Sequence, residues 1–230
     1  MERIALSTSA FCLWDIGAVD KINICQRYNL SRIEVAISTF KMLKQLLANE
    51  QALNMLKSFD NVTIHAPWCG IKYGNNKKSR EAIALIKELD RYLNVEAFIF
   101  HQDTIKNFSE FSKNNFNYYI ENSAIPGSWP EFNQLMEEYK FPCVLDINRA
   151  TRNDNYLEPF LDKYMENITE IHVSGFATEC YRLPITTTNQ SSSLNSITNL
   201  SVPIIVEGLF KPLDYKGIAE EINVIAEKIS

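Results

Sequence analysis

Short apolar runs that each stop at one polar or ionisable side chain recur along this chain. Val62-Thr-Ile-His65, Ala97-Phe-Ile-Phe-His101, Asn117-Tyr-Tyr-Ile-Glu121, Pro142-Cys-Val-Leu-Asp146, Glu170-Ile-His172 and Pro203-Ile-Ile-Val-Glu207 all have this form. They are continuously apolar, as parallel strands buried on both faces should be. Arg3 to Ser7 and Ser31 to Ala36 supply two more strands ahead of them. Helical periodicity fills the intervals. Ala82, Leu85, Ile86, Leu89 and Leu93 share one face of a helix that Ser79 is expected to cap, and Ile218, Ile222, Ile225 and Ile229 share another. Further helices are expected over Val19–Tyr28, Thr39–Ser58 with a break near Asn49, Ile105–Lys113, Pro130–Tyr139 and Tyr156–Met165. The Thr/Ser/Asn-rich stretch 186–196 is expected to end a loop and cap a helix running to about Leu200.

Eight strands alternating with helices predict a single (β/α)8 TIM barrel over residues 1–230. Barrels of this kind run to about 250 residues as one domain, and 46% hydrophobic content is ample for one core. The net charge of −5 argues against duplex nucleic acid as a partner, since that binding neutralises phosphates with Lys and Arg. Five scattered cysteines without a C-x-x-C point to a reducing, cytoplasmic setting. The first residues lack the apolar core of a signal peptide, and no apolar run is long enough to span a membrane. A homo-oligomer is compatible with all of this.

In a parallel barrel the C-terminal strand ends meet at one mouth, where active sites sit. Glu121, Asp146, His172 and Glu207 end four successive strands there. Three carboxylates and an imidazole around one point repel unless a cation lies among them. An oxygen-rich set with one nitrogen suits Mn²⁺, Mg²⁺, Co²⁺ or Zn²⁺. His65 and His101 end neighbouring strands, and Trp68 follows His65 closely enough to stack on a sugar ring.

The ordered set His65-Ala-Pro, His101, Glu121-Asn122, Leu145-Asp146, Ile171-His172 and Val206-Glu207-Gly208 resembles the strand-end signatures of the xylose isomerase-like barrels. These comprise sugar isomerases and epimerases together with the endonuclease IV group. The resemblance covers the whole chain. It implies one divalent metal ion held by Glu121, Asp146, His172 and Glu207. It also implies Glu121 and Glu207 as the acid/base pair of an enediolate proton transfer, with His65, His101 and Trp68 around a small sugar, sugar acid or sugar phosphate.

Two departures alter the expectation. Family members often have Asp-x-x-His after strand six, where this chain has Asp146 and then Arg149. A rim arginine there is expected to grip a carboxylate or phosphate of the substrate, or else to pair with Asp154 or Glu179 and brace the loop. The endonuclease members carry Asp-x-His after strand seven, and nothing of that kind follows His172. An abasic-site nuclease is therefore the lesser alternative, beside a barrel that has lost catalysis and serves binding or structure. Glu34 lies inside the second strand as a core-lining or ion-paired residue.

Overall fold

A computed structural model describes residues 2–122, 125–152, 156–178 and 180–229, except for the side chain of residue 181. In chain order the strands are β1 (Ile4–Ser7), β2 (Arg32–Ala36), β3 (Asn61–His65), β4 (Ala97–His101), β5 (Tyr118–Glu121), β6 (Cys143–Asp146), β7 (Ile168–Val173), β8 (Gly175–Ala177), β9 (Cys180–Leu183) and β10 (Ile204–Val206). Eight of them close into a parallel barrel in the order β1-β10-β7-β6-β5-β4-β3-β2, so the expected (β/α)8 barrel is present. Both seams of β1 are parallel, with Leu6 opposite Val206 on one side and Ile33 on the other. The apolar runs are long enough for this and no longer: each strand has three to six residues, and the side chains facing the helices are buried aliphatics such as Ile33, Ile64 and Leu145.

The helices follow their apolar stripes. Ala82, Ile86 and Leu89 are buried along Lys77–Leu93, and Ile218, Ile222 and Ile225 along Tyr215–Ile229. The break near Asn49 is real. Asn49 caps a second helix, Glu50–Leu56, by accepting from Ala52 N–H. Ser79 is not the cap of its helix. Asn76 occupies that position and accepts from Ser79 N–H at 2.9 Å, because the helix begins two residues earlier, at Lys77.

Two elements between β6 and β10 differ from the sequence expectation. A helix, Ile147–Arg152, starts directly after Asp146 where a loop was expected. Beyond β7 the chain turns into the antiparallel hairpin β8–β9, then a short helix Ile185–Thr188 and a 3-10 segment Ser191–Ile197. The hairpin's return segment, Leu183–Pro184, crosses the exit of β10. A Cβ built on Gly208 would lie 2.7 Å from Pro184 Cα, so only glycine fits this crossing. No helix among the described residues is long and apolar enough to cross a membrane. The described cysteines are all free thiols.

Candidate metal and acid–base centre

The four strand-end residues converge. Glu121, Asp146 and Glu207 bring one carboxylate oxygen each within 4.8 Å of one another, and Glu34, His172 and Glu207 form a second such triplet. The four therefore join through two overlapping triplets sharing Glu207 rather than as one closed set. All are buried, with His172 and Glu121 fully so.

Backbone geometry fixes the carboxylates. Asn122 bridges the ends of β5 and β6: its side chain accepts from Asp146 N–H at 2.7 Å and donates to Asp146 O at 3.1 Å. Its amide also donates to the Tyr156 hydroxyl at 2.8 Å. Glu207 continues the ladder past β10 by donating its N–H to Val173 O at 2.9 Å.

His172 is the hub. Its Nδ1 lies 3.1 Å from Glu121 Oε1 and 3.4 Å from Glu207 Oε2. On the far edge, Nε2 is 3.1 Å from Glu170 Oε1 and 3.0 Å from Glu34 Oε2. The hydrogen bond goes to Glu170, and both oxygens of Glu34 stay buried without one. Burial works against a charged imidazole, but the Glu34 and Glu207 carboxylates and the bonds to Glu121 and Glu170 hold the His172 pKa well above its usual value. Burial raises the Glu170 carboxyl to about 7 and also raises Asp146.

Glu121 Oε2 is crowded with donors: Arg149 Nη1 at 2.7 Å, His101 Nε2 at 2.9 Å and His65 Nε2 at 3.1 Å. Although burial pushes its pKa up, Arg149 and His101 bring it well below the usual carboxylate range. Burial and Arg149 lower His101 to about 4, so that ring is neutral. Trp68 packs across both imidazoles, with centroids 4.8 Å from His65 and 5.3 Å from His101. His65 and His101 thus line Glu121, and Trp68 packs against both of them.

Arg149 departs most from expectation. Its place on the helix Ile147–Arg152 turns the side chain inward, not out over a rim loop. Nε lies 2.9 Å from Asp146 Oδ2, Nη1 donates to Asn122 O at 3.0 Å, and the backbone N–H donates to Asp146 Oδ1. The guanidinium is paired with Asp146 and Glu121; Asp154 and Glu179, the partners considered from sequence, lie outside the described residues. A second guanidinium went unnoticed in the sequence. Arg182, on β9, donates to Glu207 Oε1 at 2.7 Å and to Ser9 Oγ at 2.8 Å. Burial opposes ionisation of Glu207, and Arg182 and His172 reverse this, lowering its pKa. Nothing in Cys180-Tyr-Arg-Leu183 signals such a role. Glu170 is a further residue that the sequence reading did not single out, although residues two apart on a strand share a face and His172 lies two beyond it.

The donor set fits a divalent cation. Among the described residues, the five carboxyl groups of Glu34, Glu121, Asp146, Glu170 and Glu207 meet two guanidiniums, Arg149 and Arg182, and the imidazoles of His65, His101 and His172. Of these carboxyl groups, Glu34 has both oxygens buried without a hydrogen bond.

No protein-family model matches the chain, and no curated protein does. Solved structures match over nearly its whole length. A D-tagatose 3-epimerase-like protein aligns with a TM-score of 0.67 at 18% identity, covering 99% of this chain and 100% of that one. The IOLI protein with a bound zinc atom aligns with a TM-score of 0.68 at 15% identity, covering 99% and 98%. Endonuclease IV from Thermus thermophilus aligns with a TM-score of 0.62 at 14% identity, covering 99% and 98%. The chain therefore has the barrel fold of these proteins, the fold that its strand-end motifs imply.

Proposed function

We propose that this protein is a divalent-metal-dependent isomerase or epimerase acting on a small sugar, sugar acid or sugar phosphate. One observation carries the reading: four successive strand ends bring three carboxylates and an imidazole into one buried centre. The epimerase-like and zinc-bound neighbours with this fold support it. Glu121, Asp146, His172 and Glu207 would hold one Mn²⁺, Mg²⁺, Co²⁺ or Zn²⁺ ion. Bound there, the ion supplies Lewis-acid polarisation of substrate oxygens, which acidifies the neighbouring C–H.

The chain's own groups move the proton. Glu121 and Glu207 are both held in the ionised form, so either is ready as a base. The carboxylate that takes the C–H proton leaves an enediolate. Returning that proton to the adjacent carbon, while the hydroxyl proton passes from one substrate oxygen to the other, gives isomerisation with a single carboxylate. Epimerisation needs the opposite carboxylate to arrive protonated. His65, His101, Trp68 and Arg149 are the proposed substrate contacts.

The test is solvent exchange. Ketoses and aldoses, neutral and anionic, are incubated in D₂O with the Mn²⁺-loaded protein, and C–H exchange is followed by NMR. Exchange that requires metal and disappears in Glu207→Gln is the expected result. Neither exchange nor interconversion of any substrate, from a protein that does bind metal, would remove the isomerase reading. A second reading, a barrel without catalysis, is favoured by the ion pairs that already occupy Glu121 and Asp146. Metal analysis of the purified protein separates the two.

A further inference from the structure

We propose that Arg149 and a divalent metal ion compete for the same two carboxylates, so that the guanidinium closes the metal-free site and turns away when the ion enters. This rests on the metal-dependent reading. Both oxygens of Asp146 are taken by the one residue, Oδ2 by Arg149 Nε at 2.9 Å and Oδ1 by its backbone N–H at 2.9 Å. Glu121 Oε2 receives Arg149 Nη1 at 2.7 Å, while Oε1 lies against His172 Nδ1 at 3.1 Å. These are the carboxylates a metal would draw on, and the guanidinium is a permanent cation. An ion ligated by the same oxygens would lie against that guanidinium, and two cations in so small a buried space exclude each other.

The geometry also gives Arg149 a way out. Its backbone contact to Asp146 is independent of the guanidinium. The side chain is 11% exposed, unlike the fully buried Glu121, so part of it already meets solvent. A long flexible stem carries the fork. Turning it outward would free Asp146 Oδ2 and Glu121 Oε2 together. It would also raise the basicity of Glu121, which Arg149 now suppresses, and leave a free guanidinium at the mouth for an anionic substrate group. The rim role expected from sequence then belongs to the metal-loaded form.

Calorimetric titration of EDTA-stripped full-length protein with Mn²⁺ tests this. Arg149→Gln should bind Mn²⁺ about tenfold more tightly than wild type, or better, because close charge pairs couple by more than about 1.4 kcal/mol. Equal or weaker binding in the variant overturns the competition while leaving the metal-dependent reading intact. Absence of Mn²⁺ and Zn²⁺ binding in both proteins removes that reading and the competition with it. A second measurement uses wild type alone, and decides the matter where Arg149→Gln does not fold. Phenylglyoxal modification of arginines is followed by peptide mass spectrometry with and without saturating Mn²⁺. Arg149 should react several-fold faster with metal, while Arg80, exposed on its helix, should not change. An unchanged rate at Arg149 overturns the proposal.

Discussion

Glu170 shows how a single residue sets the behaviour of the centre. It is buried behind His172, on the ring edge opposite the one that meets Glu121 and Glu207, and its carboxyl is raised to about 7 by burial, against the lowering effect of the His172 bond. The ordinary value is 4.5. A folded-state pKa above the unfolded one means the folded protein binds the proton more tightly. The group therefore favours folding below about pH 4.5, and that contribution is lost as pH rises through about 7. In EDTA, the unfolding free energy of wild type in urea should fall between about pH 5 and pH 8 more steeply than that of Glu170→Gln, which has no proton to lose there. Parallel curves would mean that Glu170 keeps one charge state throughout. Glu207→Gln addresses chemistry instead: turnover should drop by about 10²–10⁴ through loss of a proton-transfer group, with circular dichroism unchanged. Loss of turnover accompanied by loss of fold would assign Glu207 to structure.

At this scale the sequence disclosed the residues that end apolar runs and hid those that reach in from elsewhere. Glu121, Asp146, His172 and Glu207 stand out because strand periodicity fixes where each points. The guanidinium fork of Arg182 reaches Glu207 from a hairpin with no such periodicity. Arg149 was visible as a departure from the expected histidine, but its direction depended on a helix beginning at Ile147, directly after the strand.

The hairpin β8–β9, like the helix Ile147–Arg152, is not predicted by the sequence pattern, and it carries Arg182 to Glu207. It is pinned at its base. Leu209 donates its N–H to Arg182 O at 2.8 Å, and Pro184 sits against Gly208. Beyond it, Glu221 of the last helix caps Ile185–Thr188, accepting from Ile185 N–H at 2.7 Å and Thr186 N–H at 2.9 Å. A methyl at Gly208 would meet backbone atoms of Pro184, which have little room to yield. Gly208→Ala should therefore cost about 1–3 kcal/mol of stability by overpacking. It should also shift the hairpin and weaken the Arg182–Glu207 pair. Urea denaturation checks the first, and phenylglyoxal reactivity of Arg182 checks the second. Wild-type stability and reactivity in the variant would show that the crossing gives way without strain. The strands at this crossing, β8, β9 and β10, have only three or four residues each and leave no room for slack, so the glycine after Glu207 is a packing requirement as much as a motif letter.

The whole barrel gathers paired carboxylates at the mouth, and the chain carries −5 overall. This bears on the nuclease that shares its fold. Duplex DNA is held chiefly by cations placed against phosphates, with release of counterions. The two guanidiniums at this centre are already committed, Arg149 to Glu121 and Asp146 and Arg182 to Glu207. A phosphodiester approaching the mouth would meet carboxylates whose cations would have to be withdrawn first. A small anionic sugar needs one free fork; a duplex contacts several phosphates at once, and each neutralised phosphate contributes to the salt slope. The expected result is that a fluorescent abasic duplex shows no shift with about 10 μM protein at about 0.15 M salt, and no nicking with Mn²⁺ or Zn²⁺ present. Metal-dependent nicking that weakens steeply with salt would replace the sugar reading with the nuclease one.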